Sequence, residues 1–98
     1  MLKLTLTDEL RKAAERCVWF ERPETSLAAP ARLAAYIFTY GSLEDVKALR
    51  AQITQSDLRS LIDDAPPGIY DARSWAYWNL MIDRYDTPPM PQRQFWGN

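Results

Sequence analysis

An all-α fold of about five short helices is predicted for this 98-residue chain by three observations. Apolar residues recur at helical spacing in five stretches, a polar capping residue or a proline opens each stretch, and proline or glycine stands between several of them. The length suits one compact domain, at the size where a single core just sustains folding. Hydrophobic residues make up 47% and charged residues 26%, which is ordinary globular composition and excludes wholesale disorder.

Thr7 before Asp8 and Glu9 marks the first helix start. The hydroxyl accepts from an early amide, and the acids face the positive end of the helix dipole. Leu10, Ala14, Cys17 and Val18 continue the stripe, so helix one is placed at about 8–20, with Pro23 and Glu24-Thr25-Ser26 breaking it. The second helix begins near Pro30, carries Leu33, Tyr36, Ile37 and Tyr40 on one face, and is capped by Gly41. Ser42-Leu43-Glu44-Asp45 and Thr54-Gln55-Ser56-Asp57 both have the S/T-x-x-D/E pattern of a capping box. They open helix three, about 43–52 with Leu43, Val46 and Leu49, and helix four, about 55–63 with Leu58, Leu61 and Ile62. Pro66-Pro67-Gly68 ends the latter, and Asp71 or Ser74 caps helix five. That helix runs to about Tyr85 with Trp75, Trp78, Ile82 and Tyr85 on one face. Ala76, Tyr77, Leu80 and Met81 fill much of the remainder, and a helix apolar nearly all round belongs at the centre. Leu2, Leu4 and Leu6 alternate with polar residues as in a short strand, for which no partner strand is visible. The helical domain therefore spans 1–87, and Pro88, Pro89 and Pro91 make 88–98 an extended tail that docks on the domain or on a partner.

Composition removes several function classes. Net charge is −1, with eight Lys/Arg and seven Asp/Glu in residues 1–50 and four and six in 51–98, so there is no basic stripe for phosphate backbones. No apolar run approaches the roughly 20 residues of a membrane span. The opening Leu2-Lys3-Leu4-Thr5-Leu6 is interrupted too soon by Asp8 and Glu9 for a signal peptide, and the expected compartment is the cytoplasm. The chain has no histidine, which removes Ser-His-Asp and Cys-His catalysis and the commonest zinc sites. One cysteine, Cys17, cannot form an internal disulfide and reads as a small core hydrophobe. Three glycines form no phosphate loop. Asp63, Asp64 and Asp71 are the nearest approach to a carboxylate cluster, and their spacing reads instead as solvated acids near helix ends. No catalytic residue, cofactor or metal is expected.

Two patterns remain. Residues 43–64 have helix-turn-helix proportions, although Gln52 stands where the turn glycine is often found, and Arg59 is the one base-reading cation against Asp57, Asp63 and Asp64. The second pattern is aromatic: seven of the twelve rings lie between Pro66 and Trp96. Trp75, Trp78 and Tyr85 read as core, whereas Phe95 and Trp96 follow a proline-rich segment with a P-x-x-P spacing, Pro88 to Pro91, and Arg93 beyond it. Trp, Tyr and Arg are the residues of interface hot spots.

The runs Ile37-Phe38-Thr39-Tyr40-Gly41-Ser42-Leu43-Glu44-Asp45-Val46, Pro66-Pro67-Gly68-Ile69-Tyr70-Asp71-Ala72-Arg73-Ser74-Trp75-Ala76-Tyr77-Trp78-Asn79 and Pro88-Pro89-Met90-Pro91-Gln92-Arg93 resemble a group of small bacterial proteins. Members of that group are often encoded beside nucleotidyltransferase-like toxins of the abortive-infection type, and the resemblance covers about residues 33–96. It implies an antitoxin or accessory subunit that binds such a toxin. The expected function is accordingly a non-enzymatic protein-interaction module, with Tyr70, Arg73, Arg93, Phe95 and Trp96 as partner-binding residues and homo-oligomerisation left open. The alternative is a helix-turn-helix DNA-binding regulator built on 43–64.

Overall fold

A computed structural model describes residues 2–92. Over that span the chain forms six helices and no strand: α1 (Asp8–Cys17), α2 (Pro23–Leu27), α3 (Pro30–Tyr40), α4 (Leu43–Arg50), α5 (Gln55–Asp63) and α6 (Ala72–Met81). The all-α class and the capped starts agree with the reading of the sequence. Thr7 Oγ1 accepts from Leu10 N at 3.1 Å. Ser42 with Asp45 and Thr54 with Asp57 each close a reciprocal capping box. Asp71, and not Ser74, caps α6, its carboxylate accepting from Ser74 N at 2.7 Å.

The differences have local causes. α1 stops at Cys17 because Val18 leaves helical geometry and is drawn wholly into the core, which turns Trp19 and Phe20 outward. Pro23 opens a helix as well as closing the preceding stretch: its fixed φ and missing N–H suit the first position of α2. α6 ends at Met81, and Asp83 then takes a φ of 64°, so Tyr85 lies beyond the helix and is exposed. The segment 2–6, whose alternation suits one short strand, forms none, and a side chain bonds its backbone instead. The Gln52 amide accepts from Thr5 N at 2.6 Å and donates to Thr5 O at 2.7 Å, while Leu2 and Leu4 pack against the core.

The central helix is α3, not the aromatic α6. α3 packs against α1, α2, α4, α5 and α6, and its Leu33, Ala34, Ala35 and Ile37 are completely buried. Paired alanines on α1 (Ala13, Ala14) and α3 (Ala34, Ala35) leave little bulk where the two helices pack, and Leu10, Leu49, Leu58 and Ile62 are buried in the same core. α6 covers one side of α3. The Phe38 and Trp78 rings stack at 3.8 Å with 18° between planes, and Trp78 Nε1 donates to Phe38 O at 3.3 Å. Its other side is open, with Tyr77, Leu80 and Met81 exposed.

Candidate functional site

Because α1 ends early, two large rings stand at its turn, and α3 supplies two more at i, i+4 spacing. Trp19 and Phe20 meet edge to face at 5.6 Å, Phe20 and Tyr36 at 5.7 Å, and Tyr36 and Tyr40 lie at 6.3 Å. The row is open to solvent: Trp19 is 78% exposed, Phe20 49% and Tyr40 66%. Arg32 sits over its middle, with the guanidinium carbon 5.6 Å from the Phe20 ring centre and 5.3 Å from that of Tyr36. Glu21 fixes the guanidinium, accepting from Arg32 at 2.7 Å and from the buried Ser26 hydroxyl at 2.7 Å. The Arg32 hydrogen bond, followed by that of Ser26, holds the Glu21 carboxyl below its ordinary range. Leu43, 69% exposed, is set outward by the same local geometry that closes the Ser42 capping box.

One buried carboxylate ties α1 to the start of α4. Asp45, 2% exposed, accepts from Ser42 N at 3.0 Å and from the Arg16 guanidinium, and lies 3.8 Å from the Cys17 thiol. Burial pushes the Asp45 carboxyl up, but the Arg16 hydrogen bond and the Ser42 amide more than offset this and leave it below its ordinary value. Burial, and then the neighbouring Asp45 charge, raise the Cys17 thiol to about 11, so the group is a poor nucleophile.

The residues singled out from the sequence are scattered. Tyr70 is buried, its ring edge-on to Trp75 at 5.2 Å. Arg73 is exposed in the first turn of α6. Arg93, Phe95 and Trp96 lie outside the described residues. Among the described residues no three Cys, Asp or Glu side chains converge on a point. Asp63 pairs with Arg84, Asp64 ends α5 and Asp71 caps α6. The stretch 43–64 does form two short helices, but α4 packs mainly on α1 and α3, and α5 on α3. Arg59 is exposed on α5 in company with Asp63 and Asp64. No helix of the described residues is long and apolar enough to cross a membrane.

The aromatic row was not read from the sequence, because Trp19 and Phe20 fell inside the helix expected to reach residue 20. One signal was available: two positions past Cys17 on a helix is about 200° of rotation, so Trp19 falls off the buried stripe. No family model matches the chain, and no curated protein or solved structure is significantly similar to it.

Proposed function

We propose that this protein is a non-enzymatic, cytoplasmic interaction module that works by docking onto another protein. One observation carries the reading: a row of four rings, Trp19, Phe20 and Tyr40 exposed and Tyr36 half-buried between them, braced by a cation that is itself held in place. A large contiguous apolar surface on a small monomer marks a contact site. Rigid Trp and Tyr side chains supply contact area at little conformational cost. The resemblance over residues 33–96 adds the class of partner, a nucleotidyltransferase-like toxin, with this chain as its antitoxin or accessory subunit. Arg73 and the tail residues Arg93, Phe95 and Trp96 are the further contact residues of this reading.

The test is association with the product of the adjacent gene, followed by calorimetry on variants. Trp19→Ala and Tyr40→Ala should each weaken binding by about 2 kcal/mol, the threshold of an interface hot spot, with unchanged helical circular dichroism. Truncation after Pro91 should also weaken it, which separates the tail from the row. Full affinity in the Trp19→Ala, Tyr40→Ala double variant removes the row from the function. Absence of any complex at micromolar concentration removes the proposed partner.

A further inference from the structure

The P-x-x-P segment has an aromatic partner within its own chain. Trp75 Nε1 donates to Pro88 O at 2.7 Å. Met90, two residues on, packs against the hydrophobic core. Trp75 is 5% exposed and Tyr70 7%, and the two rings stand edge to face. Within residues 85–92 the Pro88 carbonyl is the one main-chain group with a hydrogen-bond partner among the described residues. An indole N–H on a carbonyl of an extended proline segment, beside a second aromatic ring, is the chemistry by which aromatic grooves take proline-rich ligands. The Tyr70 hydroxyl is buried without a hydrogen-bond partner among the described residues, an unused donor beside that indole.

We propose that Tyr70 and Trp75 form a receptor for an extended proline-bearing peptide, filled in cis by Pro88–Pro91, and that a proline-bearing segment of a partner protein exchanges with this strap. The strap hangs from a turn in which Asp83 takes a left-handed φ, and it is held by one hydrogen bond and one methionine. Its release therefore leaves the six helices packed. A tethered ligand opposes a free one with an effective concentration on the order of millimolar, so the strap raises the threshold for the incoming peptide. This inference does not rest on the Trp19–Tyr40 row, and either stands if the other fails.

The test uses the full chain and a synthetic peptide of the sequence of residues 87–92. In a Pro88→Gly, Pro89→Gly, Pro91→Gly variant the Trp75 indole N–H resonance, assigned through Trp75→Phe, should move to its free position. Added peptide should return it, and a peptide with alanine for each proline should not. Trp78, bonded to Phe38 inside the core, should stay unmoved throughout. An unmoved Trp75 signal in the triple variant, or no response to peptide, overturns the proposal. A second measurement avoids the glycines. In Trp75→Phe, which keeps a ring and loses the donor, the Met90 methyl resonance should move to the random-coil position. A Met90 methyl that keeps its native shift overturns the proposal equally.

Discussion

At the residue scale, Asp45 shows how a capping residue becomes a core residue. The pattern Ser42-x-x-Asp45 specifies a helix start, yet the same carboxylate receives Arg16 from α1 in a site only 2% exposed. Its folded value lies below that of the unfolded chain. The stability it contributes is therefore complete above the unfolded value of about 3.9 and is lost as pH falls through the folded value. Asp45→Asn should cost about 1–3 kcal/mol near neutral pH, the range for a buried group losing a charged hydrogen bond. In urea unfolding followed across pH, the gap between wild type and variant should close below about pH 4. Gly41 belongs to the same cluster. Its φ of −77° suits any residue, so the glycine is not there for a left-handed turn. A Cβ at this position would meet the Ile37 carbonyl at 2.6 Å and the Asp45 Cβ at 3.0 Å. Gly41→Ala should lower the urea midpoint by the equivalent of about 1–3 kcal/mol, as overpacking does.

At the scale of the element, the side-chain-capped helix starts are legible, as are the ends of α3 at Gly41 and of α5 at Asp63, whereas the ends of α1 and α6 are not. A start is written in side chains that bond their own backbone: Thr7, Ser42, Thr54 and Asp71 each accept from an amide within three residues. Removing one such acceptor, Thr54→Ala, should cost about 1 kcal/mol in thermal or urea unfolding, with the fold intact, since α5 keeps Leu58, Leu61 and Ile62 buried. An end is decided by where the chain must go next. α1 stops because Val18 is pulled inward, and α6 because the chain turns through Asp83 toward the Pro88 strap. The five-residue α2 escaped the sequence reading because Pro23 was read as a stop, while the same ring geometry also starts a helix. The candidate site was lost through one of these misread ends, since Trp19 and Phe20 become a surface feature only when α1 stops short.

At the scale of the whole molecule, α3 decides the architecture. Every other helix packs on it, so no helix has a core to itself. Unfolding should be a single cooperative transition, with coincident midpoints from far-ultraviolet circular dichroism and from indole fluorescence. Separated midpoints would show that α6, joined to α3 through Phe38 and Trp78, melts on its own. Local chemistry within the chain was enough to determine the all-helical class, the capped starts and the helix-free proline segment at 88–92. Those features depend on neighbours a few residues apart, or on composition alone. Tertiary structure alone decided that α3 and not the aromatic α6 is central, that Tyr70 is inside while Trp19 and Tyr40 are outside, and that Pro88 meets Trp75. Burial is settled by which surfaces remain once all helices compete for one small interior. The small alanine faces of α1 and α3 are buried in that interior, and Trp19, Phe20 and Tyr40 stand at edges that are left.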